Sequence, residues 1–203
     1  FGIIHKNIPA IETHSEFDYS NFNTSKVTIY NKIINIPINV TELRINGIVD
    51  EKEKTIGFID DISFLKNFEN IKNIYLSHNH IKNLSPIKNL SNIEILDLGD
   101  NEIANINDIV KLPNLKELHL YYNKLEDITT IVNLTGIKIL SLAFNNISNI
   151  NSLKKCTNLK WLSLCGNPIS DISGLFSIPS LEVVTLSHTL VAENDIRKLS
   201  KKG

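Results

Sequence analysis

The chain has 203 residues, with 21 Lys plus Arg against 22 Asp plus Glu and a formal net charge of -1. That length holds one domain or two small ones, and the charge balance argues against a sequence-independent nucleic-acid binder, which carries a basic excess. No run approaches the ~18 consecutive apolar residues of a membrane span, and 42% hydrophobic against 21% charged residues exclude a disordered chain.

Two residue types are over-used, with 33 Ile and 27 Asn. Met is absent even at position 1, so the sequence reads as a trimmed piece of something longer, with no visible signal peptide. AT-rich codon usage can enrich Ile and Asn, but it cannot place them in register.

Residues 1–39 read as an irregular N-terminal cap. The first 26 have no periodicity, and Val27, Ile29, Ile33, Ile34 and Ile36 suggest one or two degenerate strands in a looser coil. Residues 40–58 read as a degenerate first repeat. Its strand pattern is carried by Val40, Leu43 and Ile45, and the charged run Asp50-Glu51-Lys52-Glu53-Lys54 follows as a solvated loop insertion.

Residues 59–190 repeat with a period of 22. Asn79, Asn101, Asn123, Asn145 and Asn167 form one column, and Thr189 stands on the next step. Ile74, Leu96, Leu118, Leu140, Leu162 and Val184 form a second column, and Leu76, Leu98, Leu120, Leu142, Leu164 and Leu186 a third. Within Leu-x-Leu the side chains alternate, so a short strand points its Leu inward and its neighbours outward. One such unit cannot bury its own apolar side, so consecutive units must stack into a solenoid with one strand each in a parallel sheet. The column Asn sits where the chain leaves the strand, where its amide can satisfy loop backbone groups. The apolar spacing after it suits 3₁₀ or irregular turns on the convex side. On this period the first repeat needs an insertion of 9 residues. The remaining Asn have no role in this reading and are assigned to composition.

Residues 191–203 read as a C-terminal capping helix over the open end of the stack. Acids precede bases, as the helix dipole prefers, and Val191, Ile196 and Leu199 share a face.

The pattern L-x-x-L-x-L-x-x-N-x-L resembles the leucine-rich repeat. Asn167-Pro168-Ile169-Ser170-Asp171-Ile172-Ser173-Gly174-Leu175 and Asn79-His80-Ile81-Lys82-Asn83-Leu84-Ser85-Pro86-Ile87 are similar to the internalin-type repeats of bacterial surface and secreted proteins. The same 22-residue class occurs in the leucine-rich regulatory subunit of protein phosphatase 1. The resemblance implies an α/β solenoid, a right-handed leucine-rich-repeat coil with a concave parallel sheet and a 3₁₀ or irregular convex side. It also implies a protein partner on the concave sheet and no catalysis.

Four outward columns follow from the alternation: Asn73, Ile95, Glu117, Ile139, Trp161, Val183; then Tyr75, Asp97, His119, Ser141, Ser163, Thr185; then Ser77, Gly99, Tyr121, Ala143, Cys165, Ser187; then His78, Asp100, Tyr122, Phe144, Gly166, His188. Tyr121, Tyr122, Phe144 and Trp161 fall in three consecutive repeats, with Ile139 among them. Folding asks for no large rings on that side, so they are candidate anchors for a partner. Tyr75, His78, Asp97, Asp100 and His119 are candidates for polar specificity. His78, His80, Asp97, Asp100, Glu102 and His119 could in principle hold a metal, but they read as a solvated polar rim, and neither metal nor cofactor is expected. There is no phosphate loop, zinc-protease motif or nucleophile elbow. Cys156 takes a core position and Cys165 an outward one, so no disulfide joins them. The sequence thus predicts a monomeric module that binds a protein partner, neither nucleic acid nor membrane. It belongs to a larger microbial surface or secreted protein or, alternatively, acts as a cytoplasmic scaffold or regulatory subunit.

Overall fold

A computed structural model describes residues 24–29, 32–49 and 55–201. The irregular lead-in expected for residues 1–23 and the charged run at 50–54 lie outside the described residues. Among the described residues eleven strands and one α-helix are formed: β1 (Thr24–Ile29), β2 (Lys32–Pro37), β3 (Glu42–Arg44), β4 (Ile48–Val49), β5 (Thr55–Gly57), β6 (Asn73–Tyr75), β7 (Ile95–Asp97), β8 (Glu117–His119), β9 (Ile139–Ser141), β10 (Trp161–Ser163), β11 (Val183–Thr185) and α1 (Glu193–Ser200).

Seven strands make one open parallel sheet in the order β11-β10-β9-β8-β7-β6-β3. The 22-residue period becomes the register, with Ile74, Leu96, Leu118, Leu140, Leu162 and Val184 opposite one another in turn. In β3, Leu43 stands opposite Ile74, a spacing of 31 residues. The antiparallel pair of β4 and β5 occupies part of this longer connection.

β1 and β2 depart from the expected looser coil. They pair antiparallel, as a separate two-stranded sheet. Only Tyr30 and Asn31 separate them, and a parallel neighbour needs a crossover of a dozen residues or more.

The convex side is a series of short 3₁₀ turns, at Ser63–Asn67, Ser85–Ile87, Ile109–Lys111, Thr129–Asn133, Asn151–Lys155 and Ser173–Ser177. The inward columns are closed to solvent, with Leu76, Leu98, Leu120, Leu142 and Leu164 all at 0% exposure. Each such Leu contributes about 1.5–3 kcal/mol of transfer free energy. Cys156 fills a core column, and burial pushes its thiol up to about 11.

The column Asn forms a ladder. Asn123 Nδ2 donates to Leu120 O at 3.2 Å and to Leu98 O of the preceding coil at 2.9 Å, while its Oδ1 accepts from Ile103 N at 2.8 Å. Asn79, Asn101, Asn145 and Asn167 repeat the arrangement. Thr189 cannot: its hydroxyl donates to Leu186 O at 2.7 Å, and Ile169 N turns to Asn167 O within its own coil.

The other Asn are not mere composition within the repeats. Asn92, Asn114 and Asn158 donate to the carbonyls of Glu69, Ser91 and Thr135 one coil back, forming a second ladder. Asp61, Asn83, Asn105, Asp127, Asn149 and Asp171 each accept from a backbone N–H two residues on, leading into the 3₁₀ turn.

At the C-terminal end α1 begins with Glu193 and Asp195 and ends with Arg197 and Lys198, in line with its dipole. Leu181, Val184 and Leu186 are only half-buried where their counterparts upstream are closed. A cleft of about 400 Å³ remains between this last coil and α1, lined by Ile178, Leu186, Ile196 and Leu199 among others.

Candidate functional site

The site is built by one backbone feature. The residue before each column Asn, and before Thr189, has positive φ: His78 +58°, Asp100 +53°, Tyr122 +50°, Phe144 +54°, Gly166 +67° and His188 +59°. This single left-handed residue turns the chain off the strand and swings the next side chain inward. It costs a residue with a Cβ roughly 1–2 kcal/mol, so Gly, Asn or Asp are the natural occupants. Tyr122 and Phe144 are bulky aromatics there. Sequence alternation found the column but not its conformation, since only Asp100 and Gly166 of the six are of the types that favour it.

Tyr122 and Phe144 stack with centroids 4.3 Å apart and planes within 2°. They remain 52% and 40% exposed. Phe144 also lies on Gly166: a Cβ at that glycine would stand 2.4 Å from the Phe144 ring. Tyr121 meets Tyr122 edge-on at 6.2 Å and lies flat over Gly99, where a Cβ would come within 2.0 Å of its ring. Burial raises the Tyr121 phenol far above its ordinary range, and the Asp97 carboxylate adds to this, while a hydrogen bond with the Ser77 side chain opposes it. Thus Tyr121, Tyr122 and Phe144 form one platform seated on two glycines.

Trp161 does not join them. It makes no ring contact among the described residues and sits half-buried between Ile139 and Val183 in the sheet register. Its column is five residues from that of Phe144, as Ile139 is from Phe144, up to about 16 Å at 3.3 Å per residue. The third outward column is also less open than alternation implies. Ser77, Gly99 and Ala143 are buried, Gly99 beneath the Tyr121 ring.

The polar candidates are brought together in pairs. His78 Nδ1 lies 2.7 Å from Asp100 Oδ2, and His119 Nε2 lies 2.7 Å from Glu117 Oε1. A third pair, His80 with Glu102 at 3.2 Å, lies beside them in sequence. Asp97 Oδ1 accepts from Gly99 N at 3.0 Å, fixing the turn beneath Tyr121. Among the described residues no three His, Cys, Asp or Glu side chains are grouped to hold a metal ion.

Tyr75 is engaged by the chain's own cation. Arg44 places its guanidinium carbon 3.7 Å from the Tyr75 centroid, and its Nε donates to Glu42 Oε1 at 2.7 Å. Arg44 holds the Glu42 carboxyl below its usual value, chiefly through this hydrogen bond. The sequence reading missed this contact, because it treated residues 40–58 apart from the face they extend.

Parallel three-residue strands, 3₁₀ turns on the opposite side and an Asn ladder define a leucine-rich-repeat solenoid. A leucine-rich-repeat family matches residues 69–125, and a family of two leucine-rich-repeat copies matches residues 113–155. Residues 69–155 thus match leucine-rich repeats, and the fold of the chain is similar to that of internalins. An internalin (inlF) of Listeria monocytogenes superposes with a TM-score of 0.68 and 23% identity, over 79% of this chain and 51% of that one. Internalin C2 of the same species gives a TM-score of 0.61 and 26% identity, over 76% of this chain and 80% of that one. A leucine-rich-repeat protein of Leptospira interrogans gives 0.66 and 22%, over 71% and 39%. The chain therefore spans about half the length of the first of these relatives. No curated protein matches the sequence. Repeat and fold together define a protein–protein interaction module. No helix of the described residues is long and apolar enough to cross a membrane.

Proposed function

We propose that this chain recognises a protein partner on its concave sheet, as part of a larger microbial surface or secreted protein, and that it is not an enzyme. The observation that carries this reading is the Tyr122–Phe144 stack. Two large rings occupy left-handed positions that favour small residues and stay exposed, with Gly166 making room beneath Phe144 and Phe144 backing Tyr122. Nothing in the core needs them. Rigid aromatic surfaces are the usual anchors of protein interfaces. Tyr121, Ile139 and Trp161 extend the contact, and Tyr75, His78, Asp97, Asp100 and His119 frame it with polar groups. The bacterial sources of the similar folds support the surface or secreted setting.

The test is capture of the partner by the chain and by a Tyr122/Phe144/Trp161→Ala triple variant, with thermal melts of both. The variant should melt cooperatively and lose the partner. Full capture by a folded variant refutes the site, and an unfolded variant refutes its assignment outside the core. Leu142→Ala is the contrasting control, expected to cost about 2–5 kcal/mol as a core truncation.

A further inference from the structure

The concave face has one sign of charge. In the six coils from β6 to β11 the four outward columns contain Asp97, Asp100 and Glu117 but no Lys or Arg, although the chain has 21 such residues. Lys72, Lys116, Lys138 and Lys160 stand instead at the rim, one residue before the strands, where Lys116 pairs with Glu94 and Lys160 with Glu182. Among the described residues the one Lys or Arg on the sheet face is Arg44, at its N-terminal margin, where it is engaged by Glu42 and Tyr75.

That internal contact is a template: a guanidinium over a tyrosine ring, held by a carboxylate. Its two recipient parts recur at the centre of the sheet without a cation. Tyr122 has Phe144, of the following coil, stacked on one face, and Asp100 stands in the same column in the coil on the opposite side. The two are one coil apart, joined by Asp100 N donating to Tyr121 O and Asn101 N to Tyr122 O, and adjacent strands are about 4.8 Å apart. Asp100 is 53% exposed, and its Oδ2 takes one donor from His78. A carboxylate has capacity for further donors, and a guanidinium is the donor that also stacks on a ring.

We infer that the partner presents an arginine that lies on the open face of Tyr122 and donates to Asp100. This rests on the concave-face reading above and names the chemistry of the group it receives. Phe144 backs the ring and Gly166 backs Phe144, so the acceptor is built before the partner arrives. Asp97 and Glu117 give the surrounding face the sign that draws a basic segment.

The test is NMR titration of the isotope-labelled chain with a flexible peptide of Gly and Ser around one central Arg, and with the same peptide carrying citrulline, which keeps the shape and lacks the charge. The Arg peptide should shift the resonances of Asp100, Tyr122 and Phe144. Citrulline, Asp100→Asn or Tyr122→Leu should each weaken the response about tenfold, the order expected for a desolvated cation–π contact joined to an ion pair. Equal response to citrulline, no response at Tyr122, or persistence in both variants overturns the arginine site while leaving concave recognition standing if the triple variant still loses its partner. Shifts gathered on the convex surface, with partner capture unaffected by the triple variant, overturn both.

Discussion

At the residue scale, the left-handed column separates what folding needs from what the surface displays. The fold needs the conformation at all six positions, but not the side chain. Replacing Tyr122 by Asn relieves roughly 1 kcal/mol of backbone cost and forfeits a ring stack worth about 0.5–1.5 kcal/mol. The terms nearly cancel, so stability should stay within about 1 kcal/mol in denaturant melts while partner binding falls. The ladder Asn behave oppositely. Asn123→Ala strands Ile103 N–H and removes the donor from Leu98 and Leu120, all buried, and should cost about 3 kcal/mol. Asn114→Ala, on the exposed convex ladder, should cost under about 1 kcal/mol in the same measurement.

At the element scale, each 3₁₀ turn is opened by an Asx side chain, and the six repeats use Asp and Asn interchangeably. The hydrogen bond from Thr129 N holds the Asp127 carboxyl below its usual value, and Ser173 N does the same for Asp171. Protons therefore bind these groups more tightly in the unfolded chain. Each contributes stability that is present above the unfolded aspartate value and is lost as pH falls through the lowered folded value. Asn83, Asn105 and Asn149 already show that the amide fills the same role. Asp127→Asn with Asp171→Asn should leave the melting temperature at pH 7 unchanged and reduce its fall in acid, as read by melts across pH. These turns also mark the reach of the sequence. Leu and column-Asn spacings are unbroken, so strands, register and first ladder were legible. The second ladder was not, because Gly136 and Ser180 interrupt it, and the opening column was hidden by its mixture of Asp and Asn. The β1–β2 hairpin was missed because apolar residues alone do not distinguish a hairpin from a coil; the two-residue connection does.

At the scale of the whole molecule, the candidate surface was legible as a set of residues but not as an arrangement. Alternation placed Trp161 and Phe144 on one side, yet the strand rise parts their columns. Tyr121 lies over Gly99, so its own ring buries part of the face it belongs to. Sequence also could not show that Arg44 reaches across from β3 to Tyr75. The two cysteines report on this arrangement. Cys156 is closed to solvent and its thiol is raised, so thiolate reagents should modify it only on unfolding. Cys165, half-buried beside the platform, should react first and be shielded by the bound partner, as mass spectrometry of timed alkylation would read. The ladder, finally, has a direction. Every rung reaches back: Asn123 completes the coil that holds Ile103, and Asn145 the coil that holds Leu125. During synthesis each coil therefore waits about 20 residues for its closing amide, and the growing stack always ends in one unfinished turn. Among the described repeats this stops at Thr189, where Ile169 closes on its own coil, so the ladder runs one way along the stack and ends there.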